Sequence, residues 1–259
     1  MRKTLLASVS VAVLCSATAV AAGPGPGAPL PTWTGFYFGV NAGYAWGNSD
    51  PSLIVNSSPP PSPIGPLGTI SATPSLHPRG FIGGGQAGYN WQSGQWLIGG
   101  EVDISGISAK ADATLSPFFT GKGGQNTGRL SIQYDWLFTA RARGGFLVAP
   151  NWLLYVTGGL AVTHVNDMFT CTGRCGSGFS GIITSSDSTT LAGATIGGGV
   201  EAMLGQNWSA RVEYLHASFK DTTPATTSFP IPTPPIPNLY SFHHELDIVR
   251  LALNFKFAP

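Results

Sequence analysis

The sequence predicts an all-β fold, an eight-stranded antiparallel up-and-down β-barrel that crosses a membrane with its strands. Eight segments alternate between an apolar, aromatic-rich face and a face of small or polar residues, with the period of two of an extended chain. Charged residues are 10% of the chain, against about 25% in soluble domains. After the first 22 residues, no apolar run reaches the roughly 18 residues that a membrane helix needs. A closed barrel then pairs every backbone polar group inside the bilayer.

The segment from Trp33 to Trp46 shows this alternation most clearly. Every second residue from Phe36 to Trp46 is aromatic or aliphatic, whereas the residues between them are rich in glycine and include Tyr37 and Asn41. Lipid outside and a tightly packed lumen inside would produce this pattern. A soluble barrel is the alternative, and it would need a polar outer face that these segments lack.

The chain divides into three parts. Residues 1–22 are predicted to be a signal peptide, with Arg2 and Lys3 before an apolar stretch and Ala19-Val20-Ala21 as the cleavage site. Residues 23–32 form a flexible lead-in, and residues 33–259 form the barrel. Removing the signal peptide leaves 11 basic against 12 acidic residues, a net charge near −1. This balance argues against a nucleic-acid partner.

Long and short connections alternate along the barrel, which predicts long extracellular loops and short periplasmic turns. Both termini then lie in the periplasm. The first and fourth long loops are rich in proline, which cannot donate a hydrogen bond to a strand ladder. The predicted loops are residues 47–80, 109–129, 166–188 and 219–242.

Tryptophans mark the predicted strand ends beside the termini and the short turns. Five of the seven are predicted to form one girdle at the membrane interface. The girdle residues are Trp33, Trp91, Trp96, Trp152 and Trp208.

The inward parity of the spanning segments carries equal numbers of acids and bases. These residues are Glu101, Asp103, Asp135, Glu201, Glu213, Arg141, Arg143, Arg211, Arg250 and Lys256. An unpaired ion withdrawn from water costs several kcal/mol, and eight strands enclose an interior that side chains can just fill. We therefore predict a lumen plugged by ion pairs, with Arg141 and Arg143 as the hub that reaches Glu101 and Asp103. A small-solute channel is the alternative.

Gly83-x-Gly85-x-x-Gly88 matches the dinucleotide-binding fingerprint in letters only. That motif needs a strand before it and a helix after it to direct backbone amides at a pyrophosphate. Here it lies within a strand pattern, so we predict barrel glycines and no cofactor.

His216 and Ser218 share the outward face of the seventh segment, and Glu245 and Asp247 share that of the eighth. A base, a hydroxyl and a carboxylate on the lipid side are similar to the His-x-Ser arrangement of outer-membrane lipid A deacylases. A polar rim without catalysis explains the same residues, and we predict that the protein is not an enzyme.

His243 and His244, together with His77 in the first loop, raise the question of a surface haem or metal site. Adjacent histidines point to opposite faces of an extended chain, which makes a shared ion awkward. We favour solvated loop histidines and predict no metal.

Cys171 and Cys175 are the two cysteines that remain after signal removal. Export through an oxidising compartment predicts a disulfide between them. So short a loop contributes about 2 kcal/mol by the chain-entropy model. Metal binding is the alternative, but two thiols alone bind a metal weakly.

Five stretches resemble the small outer-membrane surface-antigen family of α-proteobacteria, opacity-type barrels that are often called porin family proteins and share the architecture of the OmpA transmembrane domain. They are Trp33–Tyr44, Tyr155–Ala161, Gly197–Glu201, Arg211–Leu215 and Val249–Phe257. The resemblance implies an integral outer-membrane protein of a Gram-negative bacterium with a structural, surface-antigen and interaction role.

The resemblance also implies partners. These are outer-membrane lipid and lipopolysaccharide, the assembly machinery acting on the last strand, and a host or environmental surface ligand. Barrels of this kind usually end on an aromatic residue that the machinery reads. Here Ala258 and Pro259 follow Phe257, so that terminal signal is displaced by two residues.

Overall fold

The computed structural model describes residues 32–54, 75–115, 126–174, 180–221 and 239–257. These ranges contain nine strands and, among them, no helix long and apolar enough to cross a bilayer. The strands are β1 (Gly35–Ile54), β2 (Arg79–Ser93), β3 (Trp96–Ile107), β4 (Lys110–Leu115), β5 (Asn126–Ala149), β6 (Trp152–Arg174), β7 (Ser180–Met203), β8 (Trp208–Asp221) and β9 (Leu239–Lys256).

The strands form one closed antiparallel sheet. Strands that follow each other in the chain pair side by side, except that β3 and β4 do not pair with each other and both pair with β2 and β5. β1 closes the sheet by pairing with both β2 and β9. The short strand β4 continues the line of β3 along β5, so β3 and β4 share one position in the wall. The wall therefore has eight strand positions, and the predicted eight-stranded barrel is confirmed.

Several strands run further than the sequence analysis places them. β1 continues to Ile54 beside the start of β9 at Leu239, and β6 continues to Arg174 beside β7. β4 lies inside the predicted loop 109–129. Beyond the bilayer a hairpin arm needs no apolar face, so the alternation that marks the spanning segments is absent although the backbone pairing continues.

β5 contains a bulge that reverses the direction of its side chains. The register with β6 shifts between Tyr134 and Trp136, which leaves Asp135 without an opposed residue. As a result, Ile132 and Tyr134 point inward with 0% exposure. The alternation that puts Asp135, Arg141 and Arg143 inward predicts both on the lipid side, and that prediction was wrong because one inserted residue inverts the parity.

The interior has apolar layers towards its two ends. The end where β2 meets β3, β5 meets β6 and β7 meets β8 is called the short-turn end, and the opposite end is called the long-hairpin end. The short-turn cluster comprises Trp33, Leu97, Leu147, Leu153, Tyr155 and Met203. The cluster towards the long-hairpin end includes Ile132, Tyr134, Leu215, Phe219, Leu246 and Ile248.

Trp33 was expected in the interfacial girdle, but it lies inside the barrel. It is 1% exposed, and its Nε1 donates to the carbonyl oxygen of Pro150 at 3.2 Å. Trp33 precedes β1, which begins at Gly35 with a positive φ of 137°, so strand parity does not apply to it. The other four predicted girdle tryptophans lie on the outer face.

Candidate functional site

A group of eight charged side chains fills the middle of the barrel, and each is at most 4% exposed. Four are carboxylates and four are arginines, so their formal charges cancel. They project from β3, β5, β7, β8 and β9. The group, called the lumen network below, comprises Glu101, Asp103, Glu201, Glu213, Arg141, Arg143, Arg211 and Arg250.

Arg141 joins three carboxylates. Its Nη2 lies 2.5 Å from Glu101 Oε1 and 2.9 Å from Asp103 Oδ2, both on the neighbouring strand β3. Its Nη1 lies 3.1 Å from Glu213 Oε1, on β8. Arg141 therefore occupies the hub position that the sequence analysis gave it, with a third partner from across the lumen.

Arg250 makes a second crossing of the interior. Its Nη2 lies 2.6 Å from Glu213 Oε2 on the adjacent strand β8. Its Nη1 lies 3.0 Å from Asp103 Oδ1 on β3. Charge-assisted bonds of this kind are shorter and stronger than neutral ones, so Arg250 ties two sides of the wall together.

Arg143 differs from the expected arrangement. It was predicted to reach the two carboxylates of β3, but its Nη2 instead lies 2.7 Å from Glu201 Oε2 on β7. Its guanidinium lies 4.2 Å from the ring centroid of Tyr155, and its Nη1 donates to the Tyr37 hydroxyl at 3.2 Å. Arg143 is two residues nearer the short-turn end than Arg141, and Glu201 lies at that level.

Asp135 and Lys256 were predicted as lumen charges but lie outside the network. Asp135 accepts hydrogen bonds from Gln133 Nε2 at 2.9 Å and Asn166 Nδ2 at 2.5 Å, because the bulge turns it away from the interior. Lys256 Nζ donates to the carbonyl oxygen of Thr32 at the short-turn end.

Two tyrosines that the sequence analysis left out of the network donate to it. The Tyr37 hydroxyl donates to Glu101 Oε2 at 2.6 Å, and the Tyr155 hydroxyl donates to Glu213 Oε1 at 2.7 Å. Both have inward parity, which was the available signal. Gln86 Nε2 continues the polar layer by donating to Asn254 Oδ1 at 2.5 Å.

On the outer face, His216 and Asp247 form a pair on neighbouring strands. His216 Nδ1 lies 2.8 Å from Asp247 Oδ1, which also accepts from the Tyr214 hydroxyl at 2.6 Å. Ser218 lies opposite Glu245, two residues further towards the long hairpins. The His–Asp half of the considered hydrolase arrangement is present, while the absence of enzymatic activity stays a prediction.

The three histidines considered for haem or metal do not share one face of the wall. His77 is exposed and its Nδ1 bonds Asn48 Oδ1 at 2.7 Å. His244 is buried, with Nδ1 3.0 Å from both Ser49 Oγ and the Tyr134 hydroxyl. The His243 side chain lies outside the described ones. Within the described part of the chain, no three His, Cys, Asp or Glu side chains form a group able to hold a metal.

The glycine motif and the predicted disulfide are the two remaining features of the sequence. Gly83, Gly85 and Gly88 all lie within β2, so no helix follows them as the dinucleotide fingerprint requires. Cys175 lies outside the described residues. The Cys171–Cys175 disulfide therefore stays a prediction, and two alkylatable thiols in unreduced protein would contradict it.

The chain is similar to known outer-membrane proteins. A family model described as outer membrane protein β-barrel domain matches residues 7–231. The 31 kDa outer-membrane immunogenic protein of Brucella melitensis biotype 1 is 33% identical over 236 residues, which are 89% of this chain and 87% of the relative. The 22 kDa outer membrane protein of Rhizobium leguminosarum bv. viciae is 28% identical over 192 residues, 74% of this chain and 67% of the relative.

Among solved structures, the crystal structure of Neisserial surface protein A matches with a TM-score of 0.39 and 13% sequence identity. The match covers 86% of this chain and 98% of that one.

Proposed function

We propose that this chain, which belongs to the outer membrane protein β-barrel domain family, is a structural surface protein with a closed lumen. The resemblance to α-proteobacterial outer-membrane surface antigens is confirmed by the Brucella and Rhizobium relatives. The Brucella relative is named as an immunogenic protein. We propose no enzymatic activity for this chain.

The lumen network is the observation that supports a closed barrel. Arg141 and Arg250 each bond carboxylates from two different strands, so the network bridges the lumen in two directions. A continuous water path would require these pairs to separate. Separation would leave buried charges without partners, which is costly in a low-dielectric interior.

Solute flux through proteoliposomes tests this proposal. Refolded protein is inserted into liposomes, and swelling in isotonic arabinose is compared with empty liposomes and with liposomes that contain an open porin. We expect the swelling rate of empty liposomes. Swelling near the rate of the porin control would contradict the closed lumen and favour the small-solute channel.

We also propose that the long-hairpin end faces the cell exterior and offers a surface for a host or environmental ligand. The arrangement of long hairpins at one end and short turns at the other supports this orientation. An epitope tag placed after residue 120 should be labelled by antibody on intact cells, whereas a tag at Gly94 should need permeabilised cells. The reverse result would contradict the orientation.

Export and assembly complete the proposal. A signal peptide cleaved near Ala21 or Ala22 would carry the chain across the inner membrane, and β9 would present the strand that the assembly machinery reads. Sequencing the amino terminus of protein from outer membranes should find a start at residue 22 or 23. A start at Met1 would contradict cleavage.

A further inference from the structure

Two cations lie side by side on the outer face of the barrel, next to a tryptophan. Trp46 pairs directly with Arg79 across β1 and β2, and Arg79 pairs directly with Lys110 on β4. Directly opposed residues in a sheet point to the same face, and all three side chains are exposed. This row of Trp46, Arg79 and Lys110 is called the rim row below.

The rim row lies where the apolar band ends. Two residues nearer the short turns, Tyr44 and Phe81 oppose each other, and their rings meet edge to face at 5.5 Å. Two residues nearer the long hairpins, Asn48 and His77 are exposed and hydrogen-bonded to each other. The outer face is apolar towards the short-turn end of the row and polar towards its long-hairpin end, which places the row at the level of lipid headgroups.

The two cations have no carboxylate partner among the described side chains. Like charges directly opposite each other destabilise a sheet, yet neither Arg79 nor Lys110 forms an ion pair within the described part of the chain. The nearby carboxylates have other partners: Asp247 bonds His216, and Asp112 lies 3.5 Å from Arg129. An external anion would relieve the repulsion.

A cleft of about 350 Å³ opens beside the row. Tyr44 and Trp46 contribute aromatic faces to its lining, Asn48 and His77 contribute hydrogen-bonding groups, and Arg79 contributes a charge. The volume lies at the lower end of the range for small-molecule sites, about 300–1,000 Å³. The lining therefore suits a ligand that combines a sugar ring with an anionic group.

We propose that this cleft binds the phosphorylated amino-sugar headgroup of an outer-leaflet glycolipid. The phosphate lies between Arg79 and Lys110, the sugar ring lies against Trp46, and the acyl chains run down over Phe81. Guanidinium groups suit phosphate because they offer two parallel donors. The proposal rests on the outward orientation of the long-hairpin end proposed above, and it is independent of whether the lumen is closed.

The test is a titration of the folded full-length barrel in detergent, followed by native mass spectrometry. The probes are bisphosphorylated lipid A, the same lipid without phosphates, and free glucosamine 1-phosphate. The test variant is Arg79→Gln/Lys110→Gln. The control variant is Arg129→Gln, which removes another exposed cation of the hairpin arms. Retained heat-modifiable gel mobility shows that each variant is folded.

We expect saturable binding of about one bisphosphorylated lipid A, at least tenfold weaker binding in the double variant, and unchanged binding in the control. Trp46→Ala should also weaken binding, whereas Trp152→Ala should not. Three results would overturn the proposal: equal affinity in the double variant, equal affinity for the dephosphorylated lipid, or free glucosamine 1-phosphate binding as tightly as the lipid.

Discussion

Arg211 and Glu101, 110 residues apart in the chain, face each other inside the barrel and are joined by two hydrogen bonds. Arg211 Nη1 lies 2.6 Å from Glu101 Oε2, and Nη2 lies 2.8 Å from Oε1. This bidentate geometry fixes both side chains. Since they come from β8 and β3, the pair holds two distant strands of the wall in one arrangement.

Breaking this pair should destabilise the barrel strongly. Arg211→Met removes the bidentate partner of a buried carboxylate, and we expect a loss of about 3–5 kcal/mol in the free energy of unfolding. Urea unfolding of the refolded protein in lipid vesicles measures it.

The matched control is the double variant Arg211→Met/Glu101→Gln, which removes the charge on both sides. Its destabilisation should be smaller than the sum of the effects of Arg211→Met and Glu101→Gln alone, because each single variant leaves a buried charge without its partner. Simple additivity would show that the two residues are energetically independent.

Loss of both hub arginines should weaken the folded state and open a leak. Arg141→Ala/Arg143→Ala removes one bonded cation from each of four carboxylates, Glu101, Asp103, Glu213 and Glu201. The folded gel band should lose its mobility at a lower temperature, and liposomes should swell faster. Arg129→Ala, an exposed cation, is the control. Unchanged heat resistance with no leak would mean that these pairs do not hold the lumen closed.

Gly88 gives the lumen network the space that it needs. A Cβ at this position would collide with the Tyr37 hydroxyl and lie 2.6 Å from the carbonyl oxygen of Gly100. Gly88→Ala should therefore cost about 1–3 kcal/mol, the usual cost of overpacking. Gly85→Ala on the same strand is the control, since the nearest atom to its Cβ would be 3.8 Å away. Equal stability of the two variants in urea unfolding would contradict this.

Trp33 should matter more for stability than a tryptophan on the lipid face. Trp33→Ala leaves a cavity in the short-turn cluster, and truncation of a buried aromatic typically costs about 3–5 kcal/mol. Trp96→Ala, whose side chain is 67% exposed, is the control and should cost less in the same vesicle unfolding assay. If both variants unfold at the same urea concentration, Trp33 does not pack into the barrel in solution.

Most of the fold can be predicted from the sequence because the alternation of period two is a local property. The same parity identifies eight of the ten proposed lumen charges, since it needs no knowledge of neighbouring strands. It fails at Asp135, where a single inserted residue inverts the pattern. It also fails at Trp33, which precedes the first strand.

The pairing inside the lumen could not be predicted in the same way. Which acid meets which base depends on the stagger of the strands around the closed barrel. Arg143 reaches Glu201 and not the carboxylates of β3 for this reason.

Single-channel recording in a planar bilayer tests the closed lumen most directly. Refolded wild-type protein should show no stable open state if, as we propose, the paired charges of the lumen network and the apolar layers towards its two ends close the water path. The Arg141→Ala/Arg143→Ala variant should show added conductance in the same bilayer. Large, long-lived conductance steps in the wild-type protein would contradict the account and establish a channel.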